Sequence, residues 1–136
     1  MFMETYVMSI KKEYGINLLE CESLWEYRRR KSRINVGDRV VLYATLPNRE
    51  LIGEFFVGEI VTGSPNEVWE KTKEDVCYQK EEVLPYLESG DFPIAFKVAN
   101  PKKYQQAIPI HKIPFFRPPI SYCKAPVELL PLLESL

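Results

Sequence analysis

The chain has 136 residues and a mass of 15.9 kDa, with 46% apolar and 27% charged side chains, the size and composition of one ordinary globular domain spanning 1–136. Eighteen Lys and Arg against nineteen Asp and Glu give a net charge of −1 and a pI near 5.9, which excludes a protein that coats nucleic acid through bulk positive charge. Three cysteines, none in a C-x-x-C pair, supply neither a zinc motif nor a secreted disulfide framework. The opening Met1-Phe2-Met3-Glu4-Thr5 lacks the basic and apolar parts of a leader, and no apolar run approaches the roughly 18 residues of a membrane span. A soluble cytoplasmic protein without metal, cofactor or membrane association is expected.

Thr5 to Ile10 is short, β-branched and aromatic, and predicts a first strand. From Lys12 to about Cys21, the spacing of Tyr14, Leu18 and Cys21 predicts a helix with those three on its apolar stripe, with Gly15 working against it. Trp25 to Arg30 predicts a second strand in which Trp25, Tyr27 and Arg29 share one face and Glu26, Arg28 and Arg30 the other. Arg39 to Ala44 is nearly all β-forming and predicts a central strand. Leu51 to Val61 predicts one long curved strand, with Gly53 and Gly58 as bends or bulges.

Ser64-Pro65-Asn66-Glu67 carries a cap residue, a proline at the first helical position and a glutamate three residues after the cap, so a helix is expected from Pro65 to Thr72. Lys80 to Leu87 predicts a short helix broken or kinked at Pro85. Pro93 to Val98 predicts a strand, paired with Gln105 to Ile110 in a hairpin across Asn100-Pro101-Lys102-Lys103. The proline-rich segment 114–126 is expected to be mostly extended loop, before a short terminal helix within 127–135. Strands with irregularly inserted helices favour an α+β, mixed barrel-like sheet over a doubly wound parallel one.

Charge is unevenly placed. Arg28, Arg29, Arg30, Lys31 and Arg33 put five cations into six positions, whereas Glu67 to Asp91 holds eight acids against three lysines. An electrostatically two-sided molecule is expected, its arginine side toward any polyanion.

Met8-Ser9-Ile10-Lys11, the following helix, Trp25 to Arg30 and Val36-Gly37-Asp38-Arg39-Val40 together resemble the ASCH family, a branch of the PUA-like β-barrels. Ile52 to Ile60 followed by Ser64 to Lys73, and Phe116 to Cys123, resemble archaeal and phage-type members of predicted transcription-related role. The resemblance implies a small mixed β-barrel with a helix after the first strand, a cleft between that helix and the sheet, and RNA or a nucleotide-like ligand as partner. The family segment G-x-K-x-x-E-x-R has Cys21 at its glycine and Ser23 at its lysine here, while Glu26 and Arg28 match. One branch hydrolyses acetylated cytidine with a lysine and a threonine whose places fall on Ser23 and Glu26, so that catalytic pattern is not retained.

Glu26 and Arg28 lie two residues apart, roughly 7 Å along a strand, and so can line one cleft. An arginine fork suits a phosphate or base edge and a carboxylate accepts a base amino group; the alternative is a salt-bridged, solvated strand face. Arg29, Arg30, Lys31 and Arg33 are candidates for backbone phosphates at the cleft rim, or for the charged protection of an edge strand. Lys11 and Arg117 are further candidates by their places in the family-like motifs, and Tyr43 is a candidate stacking platform. Trp25 and Trp69 are expected in the core, and His111 in a loop. RNA or nucleotide binding through the E-x-R strand leads; alternatives are a nucleoside amidohydrolase-like enzyme and a protein-interaction adaptor using the acidic helices from Pro65 to Glu88.

Overall fold

A computed structural model describes residues 3–136 as a curled half-barrel of six strands, an α+β architecture. The elements are β1 (Thr5–Ile10), α1 (Lys12–Leu19), β2 (Trp25–Arg28), β3 (Arg39–Ala44), β4 (Glu50–Thr62), α2 (Pro65–Thr72), α3 (Lys80–Glu88), β5 (Ile94–Pro109), β6 (Tyr122–Lys124) and α4 (Leu130–Glu134). Strand order is β2-β5-β4-β3-β1-β6. All pairs are antiparallel except β1 with β3, which run parallel. The expected central strand Arg39–Ala44 is flanked by β1 and β4 and buried along its whole length.

Period two divides the sheet into two apolar faces. Tyr6, Met8 and Ile10 of β1, Val40, Leu42 and Ala44 of β3, and Ile94, Phe96 and Val98 of β5 enter the inner core under α1. Val7, Val41, Tyr43 and Leu51 face the opposite way, onto Ile113, Phe116, Leu129 and Leu133 of the C-terminal segment. A third cluster packs Trp25 and Tyr27 against Val68, Trp69, Val83 and Leu87 of α2 and α3.

Gly15 is what lets α1 sit on the sheet. A Cβ there would lie 2.8 Å from Ile52 Cδ1 and 3.2 Å from Ile10 Cγ2, so the buried stripe is Gly15, Leu18 and Leu19, not Tyr14, Leu18 and Cys21. Tyr14 and Cys21 are exposed. The helix ends at Leu19, and Cys21 takes a left-handed φ of 62° just past it, as a helix-terminating residue does. Ser64 and Glu67 form the expected capping box of α2, with Glu67 N donating to Ser64 Oγ at 3.1 Å and Ser64 N to Glu67 Oε1 at 3.0 Å.

Several expectations are corrected. β2 stops at Arg28, and Arg29 and Arg30 form a bend whose Arg29 carbonyl accepts from Phe92 N at 3.0 Å. No hairpin forms at Asn100–Lys103; β5 continues through it for 16 residues. Against β4, Phe56 pairs with Ala99 and Glu54 with Lys102, so β5 carries one extra residue there. Asn100, at φ 49°, and Pro101, which has no N–H, fall inside that bulge. α3 runs through Pro85, an exposed position. The proline-rich 114–126 segment contributes the edge strand β6 on β1. The acidic stretch is not opposite the arginines, because α3 packs on β2 and Arg29 Nη1 donates to Ser89 Oγ at 2.7 Å.

Arg39 and Glu54 form a buried bidentate pair across β3 and β4, at 3.0 Å from Nε and 2.7 Å from Nη2. Tyr104 OH donates to Glu54 at 2.8 Å and Arg39 Nη1 donates to Glu134 at 3.1 Å. Removing one partner strands a buried charge, so Glu54→Ala should lower unfolding free energy by about 3–5 kcal/mol, read from urea denaturation.

In the third cluster Tyr27 OH shares a 2.6 Å hydrogen bond with Thr72 Oγ1, and burial pushes its phenol up to about 12. The stability tied to that raised value is full below the ordinary phenol pKa of 10 and disappears as pH rises through about 12. Tyr27→Phe should therefore be less stable than the parent at pH 8, by about 1 kcal/mol, and the gap should close at strongly alkaline pH in thermal melts.

Candidate functional site

β2 lies at one edge of the sheet, with Trp25 and Tyr27 facing α2 and α3 and Glu26 and Arg28 facing the concave side. There it approaches the end of β1 without pairing to it. β6 ends opposite β1 at Met8–Tyr122, and Ser9 N donates to Ser121 O at 2.8 Å. The Ser9 carbonyl accepts instead from Arg28 Nη2 at 2.8 Å. The same guanidinium holds Glu26 Oε2, at 2.9 Å from Nε and 2.8 Å from Nη2.

Both residues of this bridge line a cavity of about 370 Å³, together with Ser9, Ile10, Lys11, Tyr14, Tyr27, Tyr78, Glu82, Val83 and Tyr86, a volume in the small-molecule range. Tyr14 and Tyr78 meet edge to face at 5.7 Å, and Asn17 Nδ2 donates to Tyr78 OH at 3.0 Å. Tyr86 lies under the Arg29 guanidinium, 5.1 Å from the ring centroid. Burial raises the Tyr78 and Tyr86 phenols above the ordinary range, so both stay neutral at physiological pH. Burial also raises the Glu26 carboxyl, while Arg28 and the Tyr27 backbone N–H oppose that rise. Arg28 Nη1 makes no hydrogen bond among the described residues, and no buried side-chain nitrogen or oxygen there lacks a partner. Nη1 is thus not sealed from solvent.

The cavity unites Lys11, Glu26 and Arg28, with Arg29 at its rim through Tyr86. Arg30, Lys31 and Arg33 are exposed on the segment leaving β2, whose backbone is tied down where Arg33 N donates to Tyr122 OH at 3.0 Å and Tyr6 OH donates to Arg33 O at 3.3 Å. Arg117 is elsewhere, in a second concavity with Arg49 and His111. Tyr43 is corrected outright: it is 5% exposed and packs in the outer core, because its neighbour β1 and the C-terminal segment cover that face. Ser23 is fully buried with its hydroxyl donating to Trp25 O at 3.3 Å. Among the described residues, no three His, Cys, Asp or Glu side chains converge as a metal site would need, and no helix is long and apolar enough to cross a membrane.

A family model described as a domain of unknown function, DUF365, matches residues 5–115. The chain belongs to the DUF365 family. It is also 26% identical over 90 residues to an ASCH domain-containing ribonuclease of Zymomonas mobilis, a match covering 66% of this chain and 61% of that protein. The aligned region thus spans about three fifths of the relative's length.

Among solved structures, ASCH from Zymomonas mobilis superposes with a TM-score of 0.87 at 23% identity, covering 98% of this chain and 95% of that one. The N-terminal domain of Staphylothermus marinus McrB superposes with a TM-score of 0.65 at 11% identity, covering 99% and 95%. The N-terminal domain of Thermococcus gammatolerans McrB bound to m5C DNA gives 0.58 at 14%, covering 97% and 98%. The curled sheet of this DUF365 chain is therefore the ASCH fold expected from its motifs.

Sequence reasoning missed Tyr78, Tyr86 and Glu82 as cavity residues, and took Tyr14 for core. The three tyrosines, on α1, in the loop before α3 and on α3, converge only in the fold. Replacing Arg28 by Met leaves Glu26 buried without its cation and raises its carboxyl further. Stability linked to a raised carboxyl is present below its ordinary range and lost as pH rises through the folded value. The variant should thus lose about 3–5 kcal/mol at pH 8 and clearly less at pH 4.5, compared with the parent by denaturant melts at each pH.

Proposed function

We propose that this protein binds single-stranded nucleic acid, RNA foremost, by taking an unstacked base into the tyrosine-walled cavity. The observation that carries the reading is the Glu26–Arg28 pair in the lining of a roughly nucleotide-sized hollow that Tyr14, Tyr78 and Tyr86 also line. Aromatic walls accept any base by stacking. The accessible Nη1 of Arg28 offers a donor to a base carbonyl or ring nitrogen, and Glu26 supplies an acceptor or, when protonated, a donor. Arg30, Lys31 and Arg33, exposed and without an ion pair among the described residues, suit the phosphates outside. The Zymomonas relative's description as a ribonuclease and the DNA bound to the Thermococcus McrB domain support a nucleic-acid partner.

A second reading, hydrolysis in the same cavity, is favoured by Glu26, whose burial lifts its carboxyl toward the range useful for proton transfer. The buried Ser23 supplies no nucleophile to it.

Fluorescence anisotropy with labelled single-stranded RNA and DNA tests binding, and gel analysis of the same samples tests cleavage. If three to five phosphates are contacted, log affinity should fall against log salt with a slope of about −2 to −3.5. Tyr14→Ala should weaken binding by about 1–3 kcal/mol with the slope unchanged. Arg30→Ala and Arg33→Ala should each reduce the slope by about 0.7. An absence of binding to either polymer at low salt would remove the proposal.

A further inference from the structure

A second concavity, of about 580 Å³, is bordered by the turn before β4, the end of β5 and the proline-rich segment. Arg49, His111 and Arg117 line it together with Asn48, Glu50 and Phe116. Nothing in the reading of the inner cavity uses these residues. Ser9, which lines the inner cavity, donates through its hydroxyl to Pro119 O at 2.6 Å, one residue from Pro118 of the second hollow.

Three observations give this hollow a chemistry. First, the Arg49 and Arg117 guanidinium groups make no ion pair or hydrogen bond among the described residues, in contrast to Arg28 and Arg39. The carboxylate present, Glu50, is already held by Lys12 at 3.3 Å, so the two arginines leave an uncompensated positive charge. Second, the walls are stiff. Pro47, Pro109, Pro114 and Pro118 line the hollow, and Ile113 and Phe116 anchor it in the outer core. Little ordering is then needed when a ligand arrives. Third, Arg49 holds a left-handed φ of 51° while its carbonyl accepts from Ile110 N at 2.9 Å and its N–H donates to Thr45 O at 3.4 Å. A bulky residue kept in that conformation between two anchors is uncommon, and its side chain lines the same hollow as His111.

We propose that Arg49, His111 and Arg117 form a phosphate-binding site. Two guanidinium forks and an imidazole suit phosphoryl oxygens in charge and in donor geometry. The phosphoryl group can belong to a free phosphate compound or to a phosphodiester of a nucleic-acid strand, and the probes below separate the two. The site stands on its own lining and does not depend on what enters the inner cavity.

His111 is the single histidine of the chain, so its imidazole C–H protons give isolated NMR signals. The full chain is titrated at low salt with inorganic pyrophosphate and, separately, with a single-stranded oligonucleotide lacking a terminal phosphate. Pyrophosphate is expected to move the His111 signal saturably, and Arg117→Ala, at an exposed position, should weaken that response about tenfold or more. Arg49→Ala should do the same; because it alters a left-handed residue, Arg117→Ala with a matched circular dichroism spectrum is the deciding variant. Response to pyrophosphate alone assigns free phosphate compounds, and response to the oligonucleotide as well assigns a strand's backbone. An unmoved His111 signal with both probes, or a response undiminished in Arg117→Ala, overturns the proposal. Since Tyr14→Ala leaves this hollow intact, its His111 response should equal the parent's, which keeps failure here distinct from failure of the inner-cavity reading.

Discussion

The concave side of this molecule is organised by one guanidinium. A curled sheet whose edges do not meet leaves backbone groups exposed on the strands facing across the opening. β6 covers the edge of β1 only as far as Met8 and the Ser9 N–H, and β2 is turned toward β5. Arg28 spans the gap, satisfying the Ser9 carbonyl with one nitrogen and Glu26 with two. A backbone ladder would have sealed the same gap. A side chain joins the two strands at one point and leaves a hollow around it, which α1 and α3 then wall.

The two arginine–glutamate pairs differ in how fully their nitrogens are satisfied. In the Arg39–Glu54 pair every guanidinium nitrogen has a partner: Nε and Nη2 on Glu54, Nη1 on Glu134, with Tyr104 completing the carboxylate. That pair leaves no guanidinium nitrogen without a partner. The Arg28–Glu26 pair is equally short, yet Nη1 is unused and the carboxyl is driven upward by burial. An ion pair in such a place adds little stability over an apolar pair of the same shape. Its incomplete satisfaction is what makes it chemically available.

The alternation of Trp25, Glu26, Tyr27 and Arg28 is legible from sequence, because a two-residue period admits one division of faces once Trp25 is core, and Glu26 and Arg28 both line the cavity. The α2 capping box is equally legible, being entirely local. The segment Asn100-Pro101 misleads for a physical reason: a turn and a bulge both want a left-handed residue beside one without an N–H. Only the register against β4 tells them apart. Gly15 reads as a helix defect in one dimension and proves to be the contact point with Ile52 in three. Tyr78 and Tyr86 sit in a run whose conspicuous feature is acidity, and no short-range pattern ties them to Glu26. Arg117 carries a family-like motif, but its motif fixes a loop and not which hollow that loop borders.

Electrostatics gives the two hollows different preferences. Inside the tyrosine-walled cavity, Lys11 and Arg28 face Glu26 and Glu82, so the lining is balanced in charge. Glu82 is further spoken for, since its carboxylate caps α3 by accepting from Gln79 N at 3.1 Å. A phosphate entering there would trade its hydration for a site with no net attraction. A neutral base would trade stacking on neighbours for stacking on phenols, with no charge to desolvate. The uncompensated cations are not in that lining: Arg30, Lys31 and Arg33 form one group on the segment leaving β2, and Arg49 and Arg117 another in the second concavity. On the proposed reading, this division orients a strand by exclusion as much as by attraction, drawing its bases toward the neutral hollow and its phosphates to the two charged groups.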